Sequence, residues 1–167
     1  MSVFSPAYRG TIELDTVPSD FTDRIERRVE SGLFVPGNRS RANYVVCDKS
    51  ADQIRFMAKD FLTAYNVGLN TVVLKRTGQH TITYAGRFWK WAIYAVAQAL
   101  VIATLVLLAL LAVPALREQI SSYTWGWLYI GTLLVFFGLV WPWILVVIHR
   151  RFAARTVERI VRQAVAA

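Results

Sequence analysis

Residues 91–116 read WAIYAVAQALVIATLVLLALLAVPAL and residues 123–148 read YTWGWLYIGTLLVFFGLVWPWILVVI, and neither stretch contains a charged side chain. A helix of about 20 apolar residues crosses the hydrocarbon core of a bilayer, so each stretch is long enough to span one. Because backbone amides in lipid must be hydrogen-bonded within the chain, both stretches are predicted to be helices. The short connection, residues 117–122, joins only antiparallel neighbours, which predicts a helical hairpin over residues 89–149.

The overall composition agrees with a membrane protein. Of the 167 residues, 55% are hydrophobic and 18% are charged, against about 45–50% and about 25% in an average globular domain. This excess of apolar residues excludes an ordinary soluble protein and a disordered chain. The single cysteine, Cys47, excludes an internal disulfide framework. It lies in an apolar stretch, and we expect a buried, inert thiol.

Charged residues flank the two apolar stretches and predict their orientation. The net charge is +8, and basic residues lie before the first span and after the second. The positive-inside rule then places both termini in the cytoplasm. We expect an integral protein of a bacterial inner membrane, with an organelle membrane as the alternative. Because the basic residues lie beside the apolar spans, the expected partners are the lipid bilayer and anionic lipids rather than nucleic acid.

Tryptophan and arginine side chains mark the ends of the predicted spans. Tryptophan rings favour the headgroup zone of a bilayer, and arginines favour its cytoplasmic surface. The predicted interfacial anchors are Trp89, Trp91, Trp125, Trp127, Arg150 and Arg151.

A few residues inside the spans stand out from their apolar neighbours. Gln98 is predicted to form an interhelical hydrogen bond, with a polar ring around a pore as the alternative. Gly131 and Gly138 are seven residues apart, so they fall on nearly one face and favour close helix packing. Pro142 removes a backbone donor and predicts a kink in the second span.

The first 88 residues are predicted to form a small cytosolic α/β domain with the order β-α-β-α-β-β. The first 20 residues lack an apolar core, so we expect this domain to stay on the side of synthesis. Residues 11–15 alternate as in a strand. A helix is predicted to begin after Asp20, because Phe21, Ile25 and Val29 recur at intervals of four.

The rest of this domain follows from shorter patterns. Residues 44–47 predict a buried strand. Ser50 and Gln53 match a capping box, which predicts a helix with Ile54, Met57 and Phe61 on one face. Residues 71–74 and 81–84, separated by a turn, predict a hairpin. The resulting fold class is α+β: a sandwich of two helices on one sheet, followed by the transmembrane hairpin.

The tail, residues 150–167, is predicted to be a short basic amphipathic helix. Its arginines recur at helical spacing on one stripe and its apolar residues on another. Such a helix lies on the inner leaflet. The alternative is that it continues the second span and packs against the soluble domain or a neighbour.

The sequence contains no recognised catalytic, metal-binding or nucleotide-binding motif, so we expect no cofactor and no metal. Four basic residues in predicted loops are candidates for holding a phosphate or a nucleotide, with anionic headgroups as the alternative ligand. They are Arg39, Arg41, Lys75 and Arg76.

Three functional hypotheses follow. The first is a non-enzymatic membrane subunit that anchors a small cytosolic module and assembles with itself or with a larger membrane complex. The second is a ligand-gated pore or membrane-disrupting effector whose cytosolic domain senses a small phosphorylated ligand. The third is an interfacial membrane enzyme using His80, His149 or Asp60, which are isolated in sequence. Because the sequence contains no recognised catalytic motif, we favour the hypothesis of a non-enzymatic membrane subunit.

Overall fold

The computed structural model describes residues 5–32, 43–67 and 69–166. Its elements begin with an α/β part and continue into long apolar helices. In chain order they are β1 (Ala7–Glu13), α1 (Phe21–Glu30), β2 (Tyr44–Lys49), β3 (Gln53–Ala58), α2 (Phe61–Val67), β4 (Thr71–Arg76), β5 (Thr81–Arg87), α3 (Trp89–Ala112), α4 (Pro114–Ser121), α5 (Gly126–Val135), a π-helical turn (Phe136–Val140) and α6 (Trp141–Ala166).

The strands form one antiparallel sheet in the order β1-β5-β4-β3-β2. The predicted β4–β5 hairpin is confirmed and is longer than expected. The prediction for α1 is also confirmed: Phe21, Ile25 and Val29 are all buried against the sheet. The helix stops before Gly32, whose φ of 68° lies in the left-handed region that glycine adopts without steric cost.

The helix predicted from the Ser50–Gln53 capping box is wrong, because this segment is β3. Its buried residues are Ile54, Phe56 and Ala58, with exposed residues between them. Burial of every second residue is the pattern of a strand with one buried face. The predicted helical face, with Ile54 and Met57, does not account for the burial of Phe56. The Ser50 amide instead donates to the carbonyl oxygen of Gln53 at 2.8 Å and closes the β2–β3 turn. The order is therefore β-α-β-β-α-β-β.

One face of the sheet is covered by α1 and by the C-terminal half of α6. Four apolar residues in this half of α6 are at most 4% exposed: Val157, Ile160, Val161 and Ala164. The hydroxyl of Tyr84, on β5, donates to Glu158 at 2.8 Å. The prediction of a separate tail helix on the leaflet is therefore wrong. The alternative is confirmed, since residues 150–166 continue the second apolar helix into the core of the sheet.

The end of α6 is also tied to α1 by polar contacts. Arg24 donates to the carbonyl oxygen of Val165 at 3.2 Å, and Arg28 donates to the side chain of Gln163 at 2.6 Å. Cations at the C-terminus of a helix bind its unpaired carbonyl groups and interact favourably with its dipole. These arginines of α1 therefore fix the end of α6.

Two reciprocal tyrosine–glycine pairs join β1 to β5. Tyr8 lies opposite Gly86, and Gly10 lies opposite Tyr84. Each tyrosine ring occupies the space over the glycine of the other strand, so that a Cβ added at Gly86 would meet Tyr8 Cζ at 2.2 Å. The two rings are 6.1 Å apart and tilted by 50°. The absent side chains of the glycines therefore allow two large rings into one layer.

Two helices are long and apolar enough to cross a membrane. They are Trp89–Ala112, with a mean hydropathy of 2.6 in its most apolar window, and the continuous helical stretch Gly126–Ala166, with 2.3. The fold thus agrees with an α+β chain carrying a two-helix hairpin. The first helix is shorter than the predicted span of residues 91–116, because Val113 adopts an extended conformation and Pro114 begins a separate short helix.

A π turn lies directly before Pro142, the residue at which the sequence predicts a kink. Residues Phe136–Val140, directly before α6, have π-helical hydrogen bonding. In a regular α-helix the Pro142 ring would clash with the carbonyl of Gly138 and leave it without a donor. A wider turn relieves that clash, and π turns of this kind are a recognised source of helix bending.

Candidate functional site

The second face of the sheet carries no helix within the residues that the structure describes. Because successive side chains of a strand alternate, this face collects the residues between the core positions. We call it the open face. It comprises Arg9, Thr11, Glu13, Val45, Asp48, Gln53, Arg55, Met57, Thr71, Val73, Lys75, Thr81, Thr83, Ala85 and Arg87.

The register aligns the open face into rows across the strands. Arg9 pairs with Ala85, Ala85 with Val73, and Val73 with Arg55, so that two small side chains lie between two arginines. The next row contains Lys75 beside Thr83. The result is a shallow groove of about 590 Å³, with Ala85 and Val73 in its floor and Arg9 and Lys75 among its lining residues.

Four exposed cations lie in this groove or next to it: Arg9, Arg55, Lys75 and Arg87. The four ion pairs found among the described residues all involve α1 or Asp20, the residue before it. None of the four open-face cations is therefore neutralised by an ion pair with a described residue. The same face carries two carboxylates, Glu13 at the end of β1 and Asp48 opposite Arg55 in the register. With four cations against two carboxylates, the open face is a shallow surface of net positive charge that attracts anionic groups.

The phosphate site predicted from four basic residues is only partly described. Lys75 lies on the open face. Arg76 pairs with Ile82, a core residue, so its side chain projects from the opposite face of the sheet. Arg39 and Arg41 lie outside the described residues. Sequence reasoning missed Arg55 because its segment was predicted as a helix, and missed Arg9 because the predicted strand began two residues after it.

Cys47 is exposed, so the prediction of a buried thiol is wrong. It lies at a register shift in β2 between Val46 and Asp48. Tyr44 and Val46 lie on the core side of β2. Because side chains alternate along a strand, Cys47 projects from the open face. The thiol lies next to solvent rather than in the core.

The polar and small residues of the hairpin have different surroundings. Gln98 is exposed on the surface of α3. A Cβ added at Gly138 would lie 4.0 Å from the Cβ of Ala103, so Gly138 faces α3, whereas nothing lies within 4 Å of such a Cβ at Gly131. Only Gly138 of the predicted pair therefore faces the neighbouring helix.

The predicted anchors at the far end of the hairpin, Trp125 and Trp127, are 61% and 49% exposed. Trp127 is also held in place by a hydrogen bond from its Nε1 to Ser121 Oγ at 2.9 Å. Their exposure agrees with an interfacial position.

An aromatic cluster joins the hairpin to the sheet. Trp91 and His149 are stacked with their ring centroids 4.0 Å apart and their planes at 11°. Phe88, which is fully buried, lies 5.2 Å from the His149 ring. Trp91, predicted as a lipid anchor, thus packs within the protein, while its neighbour Trp89 is 47% exposed. The cluster therefore packs the beginning of α3 against the first half of α6.

Asn70 completes this junction. It is 3% exposed. Its side-chain amide donates to the carbonyl oxygen of Ala64 at 3.2 Å, and its side-chain oxygen accepts from the Lys90 amide at 2.8 Å. One buried side chain therefore ties the last part of α2 to the first turn of α3, satisfying helix-end groups that would otherwise lack partners.

Replacing Asn70 by Ala is expected to destabilise this junction by about 1–3 kcal/mol, because a buried carbonyl and a buried amide lose their partner. The change in unfolding free energy is measured in detergent by pulse proteolysis in urea. Thr77→Ala in the exposed β4–β5 turn is the control. An Asn70→Ala variant as stable as this control would contradict the assignment.

The acid–base candidates lie apart from each other. His149 belongs to the aromatic cluster, and the His80 ring contacts the Asp15 carbonyl oxygen. Asp60 caps α2, where its carboxylate accepts from the Thr63 amide at 2.7 Å. That backbone hydrogen bond lowers the pKa of Asp60. The described residues also contain no group of three metal-ligating side chains.

Comparisons with protein-family models, with curated proteins and with solved structures find no match to this chain.

Proposed function

We propose that this chain is a non-catalytic membrane subunit that holds its sheet at the cytoplasmic surface of a bilayer and docks an acidic partner protein on the open face. The observation that carries the proposal is the group of four exposed cations on a sheet face that the described chain leaves uncovered. Isolated exposed cations are common on proteins. Cations grouped around an apolar floor, without ion pairs, favour a complementary acidic surface.

The shape of the open face favours a protein over a small ligand. The row from Arg9 to Arg55 crosses four strands, which is roughly 14 Å at the usual strand spacing. Small-molecule sites are concave and enclose most of the ligand, whereas this groove is shallow. Its composition, with Met57 and arginines around Val73 and Ala85, is typical of protein interfaces, in which methionine and arginine are enriched.

The attachment of the sheet to the hairpin supports a scaffolding role. The helical stretch Gly126–Ala166 runs from the apolar hairpin into the sheet core without interruption. The Trp91–His149 stack and the Asn70 hydrogen bonds add a second connection beside it. With two connections, the open face has a fixed orientation relative to the hairpin, as a docking subunit requires.

Gln98 supports assembly within the membrane. Its side chain is exposed on the outer surface of α3, between apolar neighbours. An amide facing hydrocarbon has lost its water hydrogen bonds, and an interhelical hydrogen bond restores about 0.6–2 kcal/mol. The partner helix belongs to a second copy or to another subunit. A polar ring around an oligomer axis would use the same residue, which keeps the ligand-gated pore as the alternative function.

The proposal is tested by native mass spectrometry after mild solubilisation from the source membrane. We expect a complex with another protein that is lost in the double variant Arg9→Glu/Arg55→Glu. The matched control is Arg159→Glu/Arg162→Glu, which makes the same change in net charge at exposed positions of α6. Reversing two contact charges is expected to weaken the affinity by tenfold or more, about 1.4 kcal/mol per factor of ten.

Two outcomes would contradict the proposal. One is a monomer without any co-purifying protein. The other is a complex that survives equally in both double variants, since the open face would then not be the docking surface. A homogeneous homo-oligomer that makes liposomes leak would favour the pore.

A further inference from the structure

The short helix α2 lies at the end of the sheet from which the apolar hairpin begins. It connects the end of β3 to the start of β4, and Met57, Thr71 and Arg87 pair in one row across β3, β4 and β5. Arg87 ends β5, and α3 begins two residues later at Trp89. The helix α2 and the first turn of α3 are therefore neighbours at one level of the molecule.

The position of α2 is fixed at both ends. At its start, the Thr63 hydroxyl accepts from the Asn43 amide at 3.0 Å, and the Thr63 amide donates to Asp60. Near its end, the Ala64 carbonyl oxygen accepts from Asn70, which also binds the Lys90 amide of α3. Thr63 is 7% exposed and Ala64 is fully buried. The helix has one face held in the protein, so its other face has a defined direction.

That other face carries two adjacent large apolar side chains. Phe61 is 58% exposed and Leu62 is 68% exposed. Lys59 lies two residues before Phe61 and is exposed, and Trp89 and Lys90 lie at the start of α3. Large apolar side chains held outward beside lysines and a tryptophan form the pattern of segments that lie in a membrane interface.

We propose that α2 lies in the headgroup region of the leaflet from which α3 emerges. Phe61 and Leu62 contact the upper acyl chains, and Lys59 and Lys90 contact lipid phosphates. This contact adds a third attachment of the sheet domain to the bilayer, beside the two spans, and sets the tilt of the open face relative to the membrane. The inference rests on membrane insertion of the hairpin, which is part of the proposed function, and not on the docking of a protein partner.

The test measures the depth of single labelled positions in proteoliposomes. In a Cys47→Ser background, Leu62→Cys carries an environment-sensitive fluorophore, and the vesicles contain lipids with a spin-label quencher near the headgroup. Glu13→Cys, exposed at the far end of β1, is the matched control for solvent. Val101→Cys, 57% exposed near the middle of α3, reports insertion of the hairpin itself.

We expect the label at Leu62→Cys to be blue-shifted and quenched by the lipid quencher, and the label at Glu13→Cys to be neither. Adding phosphatidylglycerol to phosphatidylcholine vesicles is expected to increase the quenching at position 62, because the two lysines bind anionic lipid. Equal quenching at positions 62 and 13, with a deep signal at position 101, would overturn this inference alone. A shallow or absent signal at position 101 would overturn both it and the proposed function.

A blue-shifted label at position 62 that lipid quenchers leave bright would also overturn the inference. That result would show the exposed face of α2 to be covered by protein, from a second copy or another subunit. Because each cysteine substitution replaces an exposed side chain, we expect every labelled variant to fold. The fluorescence of the labels can therefore be compared between positions.

Discussion

Replacing Val161 by Asp is expected to unfold the sheet domain while leaving the apolar hairpin helical. Val161 is fully buried where α6 covers the sheet. Val161 belongs to the hydrophobic core cluster, so the substitution places a charge in an apolar core, where its burial is costly. We expect a loss of more than about 4 kcal/mol, which is close to the whole stability of a small domain.

The neighbouring residue provides the matched control for this prediction. Arg162→Asp changes the charge by two units at an exposed position of the same helix turn, and its effect is expected to be below about 0.5–1 kcal/mol. Protease susceptibility of β2 to β5 in detergent, followed by mass spectrometry, compares the two variants. If Val161→Asp remained as resistant as Arg162→Asp, α6 would not be a layer of the core.

Replacing Gly86 by Ala is expected to separate β1 from β5. The added methyl group would lie 2.2 Å from Cζ and 2.3 Å from the hydroxyl oxygen of Tyr8. Tyr8 is 1% exposed, so its ring has no free space to move into. Overpacking of a core costs about 1–3 kcal/mol, and we expect the upper end of that range because a whole ring must shift.

Gly78→Ala is the control for the glycine prediction, because a Cβ there would meet Thr81 at an ordinary distance of 3.8 Å. The midpoint of urea unfolding, followed by pulse proteolysis, is expected to fall for Gly86→Ala and to stay unchanged for Gly78→Ala. Hydrogen exchange of β1 amides gives an independent readout, since loss of pairing accelerates their exchange. Equal midpoints for the two variants would contradict the tyrosine–glycine packing.

Features that depend on local composition and period could be predicted without the tertiary structure. Two stretches without charge predicted two long apolar helices, since apolar length is a property of the chain alone. The spacing of Phe21, Ile25 and Val29 predicted which face of α1 is buried, because a helix of ten residues repeats its period often enough to be recognised. The β4–β5 hairpin followed from its turn residues.

Short segments were decided by tertiary contacts. Residues 53–58 are too few for their period alone to exclude a helix, and pairing with β2 and β4 selects the strand. Cys47 is exposed because alternation along the edge strand β2 places it on the open face, and the pairing with β3 decides which face of β2 is buried.

The open face was also decided by the fold. Arg9, Arg55, Lys75 and Arg87 come from four different strands, and their proximity depends on strand order and register, which are long-range properties. The same holds for α6. Its apolar stripe was visible in the sequence, but a stripe of this kind buries equally well against lipid or against protein. In the fold, α1 and residues 157–164 of α6 together cover the core face of the sheet. Residues 157–164 reach this face because α6 continues the second span without interruption.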